Sequence, residues 1–147
     1  MKGTSVKTLV LGIIAGAIAV VTVHELIVLW LNNSGLTTRI PWSMEPSAYS
    51  GLPQIAVDAA WGGLWGAIFA IILGGVPEGS MTVRGAILGL FGPAILGGLL
   101  IVPLLNGQQP FYGNDIEQIR QIALPAIGFG AVTAWLYGFL TSGCRLP

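Results

Sequence analysis

TLVLGIIAGAIAVVTVHELIVLWL, residues 8–31, is the stretch that decides the fold. Of its 24 residues only His24 and Glu25 can carry a charge, and the others are mainly aliphatic or small. An α-helix rises about 1.5 Å per residue, so a stretch of this length can cross a bilayer core of about 30 Å. The sequence therefore predicts a transmembrane helix that contains an ionisable pair.

Three more apolar stretches follow this one. The whole chain is 54% hydrophobic and only 8% charged, whereas an average soluble domain has about 25% charged residues. We expect four transmembrane helices, at about residues 8–31, 55–76, 83–105 and 115–140. The connections between them are too short for a separate soluble domain. The predicted fold is an all-α integral membrane protein, with one four-helix domain over residues 1–147 that lies in a lipid bilayer.

The basic residues indicate an orientation. The formal net charge is zero, and no basic patch is present that could bind nucleic acid. Cytoplasmic loops carry an excess of Lys and Arg. With a cytoplasmic N-terminus, four basic residues lie inside, namely Lys2, Lys7, Arg84 and Arg145. Two lie outside, namely Arg39 and Arg120. This predicts cytoplasmic N- and C-termini, in the inner membrane if the host is a bacterium.

The two halves of the chain resemble each other. QIAVDA at residues 54–59 matches QIALPA at residues 121–126, and each half begins with a Gly-x-x-x-Gly motif. The pattern predicts two tandem helical hairpins, related as a parallel repeat by an axis along the membrane normal. In this alignment His24 and Glu25 correspond to Gly97 and Gly98, and Asp58 corresponds to Pro125. Only the first half would then keep ionisable groups inside the membrane.

Small residues one turn apart predict where helices pack closely, because they let two backbones approach each other. Three such pairs occur, Gly12 with Gly16, Gly62 with Gly66, and Gly85 with Gly89. The short connection at residues 74–82 predicts that the second and third helices are antiparallel neighbours. The first helix would then have few neighbours from its own chain, and we expect one of its faces to contact another polypeptide.

Local signals add detail to the third and fourth helices. Asn114, followed three residues later by Glu117, is typical of a helix start near Asp115. Proline removes a backbone hydrogen-bond donor, so Pro93 and Pro125 should bend these two helices.

Few residues could carry chemistry. His24-Glu25 begins like a zinc-protease motif, but position 28 is a valine and the chain has one histidine. The single cysteine, Cys144, excludes a disulfide within the chain and cysteine-based zinc or iron–sulfur sites in it. No nucleophile stands next to a recognisable base. We therefore expect no enzymatic activity, no cofactor and no metal, with a pigment or metal on His24 as an alternative.

Three residues form a candidate ion or proton site. Counted from the predicted helix ends, Glu25 lies about 9 Å and Asp58 about 4 to 5 Å below the outer boundary, so their side chains can meet. Together with His24 they are either interhelical hydrogen-bond partners or a proton or cation site. The favoured function is a non-catalytic membrane protein that acts by assembly, as an accessory subunit or a homo-oligomer. The alternative is a small proton- or cation-coupled channel or transporter using His24, Glu25 and Asp58.

Overall fold

The computed structural model describes residues 5–47, 50–74 and 81–142. Four helices in these ranges are long and apolar enough to cross a membrane. They are α1 (Val6–Asn33), α2 (Gln54–Leu73), α3 (Met81–Leu105) and α4 (Ile116–Thr141). The predicted all-α fold with four apolar spans is confirmed, with ends within about three residues of those expected. Lys2, residues 75–80, Cys144 and Arg145 lie outside the described residues.

Two of the helices contain π-helical turns. In α1 the π-helical segment is Val20–His24, directly before Glu25. In α3 it is Leu90–Ile101, which contains Pro93. Proline lacks the N–H that an α-helical turn requires, and a wider i→i+5 turn is one way of accommodating it. Helix α4 is α-helical throughout, with Pro125 buried inside it.

The start of α4 differs from the predicted cap. Asp115 is the N-cap residue, and its side chain accepts hydrogen bonds from the backbone N–H groups of Glu117 and Gln118. Asn114 instead has a left-handed backbone conformation, with φ of 66°. The helix therefore begins where it was expected, but the carboxylate of Asp115 rather than the amide of Asn114 satisfies its first donors.

Glycines hold α1 against α2 as one antiparallel hairpin. Gly12 lies against Gly66, and Gly16 lies against Gly62. A Cβ atom added at any of these four positions would overlap a backbone carbonyl oxygen or a side chain of the other helix. The two helices can approach this closely only because these positions have no side chain.

Helices α3 and α4 form a second hairpin with the same contacts. Gly85 lies against Gly130 and Ala134, and the equivalent contact in the first hairpin is Gly12 against Gly66 and Ala70. Gly89 lies against Ala126, and the equivalent contact is Gly16 against Gly62. These contacts align residues 64–74, LWGAIFAIILG, with residues 128–138, GFGAVTAWLYG. This alignment from the helix contacts and the sequence match of residues 54–59 with residues 121–126 differ in register by three residues. The internal repeat itself stays a prediction.

The expected pairing of α2 with α3 is wrong for the described residues. Helix α2 packs on α1, α3 packs on α4, and the two hairpins meet where α4 packs on α1. Gly128 of α4 lies against Ile27 and Val23 of α1. The indole of Trp65 fills part of the space between α2 and α3 and would contact a Cβ at Gly92. The glycine side of α1 thus faces α2, and Val23 and Ile27 face α4, whereas Val10, Ile14 and Leu26 are exposed. The expected contact of α1 with another polypeptide stays a prediction.

The apolar core lies on the side of the bundle where the chain begins. It is a buried cluster of side chains from α1, α2 and α4, which includes Phe69, Leu73, Phe129 and Tyr137. The rings of Phe69 and Phe129 are 6.0 Å apart and tilted by 53°. The opposite end, with the connections after α1 and α3, is called the outer end here.

Candidate functional site

Glu25 is the centre of a buried ion cluster near the outer end. It follows the π-helical turn of α1, and only 1% of its side chain is exposed. Its Oε1 atom lies 2.9 Å from Nδ1 of His24. An ionised carboxylate can only accept hydrogen bonds, so Nδ1 carries the proton of this bond. The neighbouring histidine therefore stabilises the charge that burial would otherwise disfavour.

The segment of residues 34–47, called the outer segment here, folds back onto α1. The backbone N–H of Trp42 donates to Oε2 of Glu25 at 2.7 Å. The indole N–H of the same residue donates to the carbonyl oxygen of Val21 at 2.8 Å. Trp42 has φ of 49°, a left-handed conformation that costs a residue with a side chain about 1 to 2 kcal/mol. The two hydrogen bonds hold the tryptophan in this conformation.

Arg39 of the outer segment joins the two acidic residues. Its Nη2 atom donates to Oε1 of Glu25 at 3.2 Å and to Oδ2 of Asp58 at 2.6 Å. The other oxygen of Asp58 accepts from the side-chain amide of Gln54 at 2.8 Å. One guanidinium thus connects α1, α2 and the segment between them.

The structure brings the three predicted residues together, but not as a direct contact between Glu25 and Asp58. Arg39 lies between them, a residue that the sequence indicates only as one of the outer basic residues. The sequence also did not indicate Trp42 as a hydrogen-bond donor to Glu25. The available signal was charge balance, because a buried carboxylate needs a cation and Arg39 is the basic residue in the connection between α1 and α2.

The charges of the cluster do not cancel when both carboxylates are ionised and His24 is neutral. Two negative charges, on Glu25 and Asp58, then face one positive charge on Arg39. Glu25 is almost completely buried, whereas 18% of Asp58 and 41% of Arg39 is exposed. The excess negative charge is therefore accessible at Asp58.

A cavity of about 370 Å³ opens beside the cluster, between α2, α3 and α4. His24, Arg39 and Asp58 lie on its polar part. The rest of its wall is mainly apolar and includes Trp61, Trp65, Pro93, Ile101 and Phe129. Phe129 also belongs to the buried core, so the cavity ends where the core begins.

A second cavity, of about 290 Å³, lies on the other side of the arginine and includes Val28, Thr37 and Tyr112 in its wall. Arg39 belongs to the wall of both cavities. The hydroxyl of Thr37 donates to the side-chain oxygen of Gln121 on α4 at 2.9 Å. The outer segment is therefore attached to α4 as well as to α1 and α2.

The remaining predicted packing residues form the two hairpin contacts described above. Among the described residues, no group of three or more His, Cys, Asp or Glu side chains could hold a metal ion. His24 offers a single nitrogen, Nε2, beyond the bond to Glu25, so a pigment or metal held there would need its other ligands from elsewhere. This alternative stays a prediction.

Fold and site together define a small helical protein with four apolar spans, in which a buried ion cluster fixes an outer segment above two glycine-packed hairpins. No protein-family model, curated protein or solved structure matches the chain. Arguments about its function therefore start from the geometry of its own residues.

Proposed function

We propose that this chain is a non-catalytic membrane protein that acts by assembly, either as an accessory subunit of a larger membrane complex or as a homo-oligomer. The observation that carries the proposal is the attachment of the outer segment. Its residues Arg39 and Trp42 are bonded to Glu25, while Ile40 and Met44 between and beside them are 59% and 71% exposed.

A fixed segment with exposed apolar side chains is suited to binding. The ordering of a flexible loop normally opposes association, and a loop that is already ordered avoids this entropy cost. Contiguous exposed apolar patches mark sites of protein–protein or membrane interaction, and Ile40 and Met44 lie on the same fixed segment. Leu52, which is 57% exposed, extends this surface toward the start of α2. The partner would be a membrane protein or a second copy of this chain.

The experiment is purification in mild detergent followed by native mass spectrometry. We expect the wild type to retain a second copy or a distinct membrane subunit, and Ile40→Ser with Met44→Ser to lose it. Val83→Ser is the matched control, because Val83 is 58% exposed but lies at the opposite end of the bundle. A wild-type monomer without a partner, or equal losses in both variants, would contradict the proposal.

A second candidate function is supported by the cavity beside the cluster. A proton- or cation-coupled transporter needs ionisable groups that a solute can reach, and His24 and Asp58 line this cavity while Glu25 lies behind them. The core around Phe69 and Phe129 separates the cavity from the opposite end. Transport would therefore require the two hairpins to move relative to each other.

Flux into reconstituted vesicles tests this second candidate. Glu25→Gln and Asp58→Asn each remove a charge with little change of shape, and both should abolish a proton- or cation-dependent flux. Because Glu25→Gln is also expected to be less stable, the folded fraction of each variant is measured by circular dichroism before reconstitution. Glu117→Gln, at an exposed carboxylate on α4, should leave the flux unchanged. Wild-type vesicles with no more flux than empty vesicles across a pH gradient would rule transport out. In either function we place the chain in a bacterial cytoplasmic membrane with both termini inside.

A further inference from the structure

The cavity between α2, α3 and α4 has the size and the wall of a small-molecule site. Ligand pockets in proteins occupy about 300 to 1,000 Å³ and are mostly apolar with a few polar groups. This cavity of about 370 Å³ has that composition. Its polar groups lie together on one side, where Arg39 and Asp58 meet. A ligand that fits it has one polar end and an apolar body.

The charge of the polar side selects the sign of the ligand. The charge of Arg39 is already paired with Glu25 and Asp58, and an anion entering the cavity would meet the carboxylate of Asp58 beside it. When both carboxylates are ionised and His24 is neutral, a cation at Asp58 would instead compensate the excess negative charge of the cluster. Uncompensated charge at membrane depth is costly, and a bound cation reduces this cost.

The apolar wall supplies a second contact for such a ligand. Trp61 and Trp65 lie on α2 one turn apart, and Phe129 faces them from α4. The ring of Trp65 lies against Gly92 and Gly97 of α3, so close that a Cβ atom at either glycine would contact it. These side chains give the body of the ligand an apolar surface, and Trp61, one helical turn from Asp58, can also attract an ammonium group through its ring quadrupole.

We propose that this cavity binds an organic ammonium cation with an apolar body, the charged group lying at Asp58 and the body between Trp61, Trp65 and Phe129. An inorganic ion fits less well, because the described residues offer no group of three acidic, histidine or cysteine ligands. The proposal extends the second candidate function by naming a ligand class. Binding can occur without transport, so the two are tested separately.

The test uses the full chain in nanodiscs of zwitterionic lipid, with empty nanodiscs as background. The probe is benzyltrimethylammonium, and neopentylbenzene is its uncharged control of nearly the same shape. Calorimetric titration should give saturable one-site binding of the cation, and the uncharged molecule should not displace it. Equal binding of the two molecules, no saturable binding, or displacement by an equal concentration of potassium would overturn the proposal.

Two variants assign the site. Asp58→Asn should weaken binding at least about fivefold, the change that a partly exposed ion pair of about 1 kcal/mol produces. Val57→Trp places a large side chain in the cavity wall and should abolish binding without altering the ion cluster. Glu117→Gln is the control and should bind like the wild type. Wild-type affinity in either Asp58→Asn or Val57→Trp would place the ligand elsewhere.

These results separate the proposals. Binding without flux would keep the ligand site and end the transport hypothesis. Flux without cation binding would overturn the ligand site and leave transport standing. If Asp58→Asn does not fold, the comparison of the cation with neopentylbenzene on the wild type and the titration of Val57→Trp still decide the outcome.

Discussion

The indole nitrogen of Trp42 lies 2.8 Å from the carbonyl oxygen of Val21, inside the π-helical segment of α1. A π-helical turn changes the backbone bonding pattern from i→i+4 to i→i+5, and such turns are frequent at functional sites. Here the carbonyl oxygen of Val21 accepts the bond that fixes the outer segment. The irregularity of α1 and the position of the segment are therefore linked.

Trp42→Phe should lower the free energy of unfolding by about 0.5 to 1.5 kcal/mol, because the ring is kept but one hydrogen bond is lost. Thermal unfolding in detergent, followed by circular dichroism, measures the change. Trp30→Phe is the control, since Trp30 is 56% exposed on α1 and should change stability little. Equal effects of the two substitutions would contradict the role given to the bond.

Glu25→Gln should destabilise the protein by about 1 to 3 kcal/mol, because a buried glutamine amide cannot accept all the hydrogen bonds that His24, Arg39 and Trp42 make to the carboxylate. The NH2 group of the glutamine would also face the donor groups of Arg39 and Trp42, and two donors cannot form a hydrogen bond with each other. Glu117→Gln removes a carboxylate from an exposed pair with Arg120 and should cost no more than about 1 kcal/mol. Chemical denaturation of both variants gives the difference, and similar midpoints would refute the prediction.

Arg39→Met should loosen the outer segment without unfolding the helices. Loss of the guanidinium removes the link between Glu25 and Asp58, and the two carboxylates then face each other without a cation. Hydrogen–deuterium exchange of peptides covering residues 36–47 should become faster, while α2 and α4 keep their protection. Arg120→Met serves as the control, and unchanged exchange in the outer segment of Arg39→Met would show that Arg39 does not hold it.

Gly66→Ala should destabilise the first hairpin by about 1 to 3 kcal/mol, because overpacking forces the helices apart. A Cβ at this position would overlap the backbone of Gly12. Gly97→Ala is the matched control, because its Cβ would lie 3.4 Å from the Trp65 ring, an ordinary contact. Unfolding midpoints of the two variants in one detergent should differ clearly. A neutral Gly66→Ala would mean that the helices are not in close contact there.

A fluorescent reporter that matures only in the cytoplasm should be bright when fused after Pro147. Lys7 and Arg84 lie near the starts of α1 and α3, at the end of the bundle opposite Arg39 and Arg120, and basic residues concentrate on the cytoplasmic side. A reporter that is active only in the periplasm, fused at the same position, should be inactive. The reverse pattern would invert the topology.

The helices could be predicted from the sequence because each is a long apolar run between polar connections, and length alone distinguishes such a run from a core helix. The glycine pairs of the sequence lie at helix contacts where a Cβ would not fit. Their partners could not be derived. Gly62 can pack against any helix with a small residue, and the short connection after α2 suggested α3 instead of α1.

The ion cluster was predicted in part. Depth along two helices placed Glu25 and Asp58 within reach of each other, because helix geometry converts residue number into distance. The position of Arg39 depends on how the outer segment, with Trp42 in a left-handed conformation, folds back onto α1. The spacing of apolar and polar residues does not predict this fold. The π-helical turn before Glu25 likewise has no signal as plain as a proline, since residues 20–24 contain neither proline nor glycine.

Glu25 has consequences for the order of events during synthesis. Every bond to its carboxylate in the described residues comes from within residues 24–42, so its partners are synthesised directly after it. In the proposed topology, Arg39 becomes available once the segment following α1 has crossed the membrane, and Asp58 follows with α2. The first hairpin can thus neutralise its buried acid while α3 and α4 are still in the ribosome or translocon. Reversing the order of the two hairpins in a permuted gene would delay this pairing, and the nascent chain would then be exposed to quality-control proteases for longer.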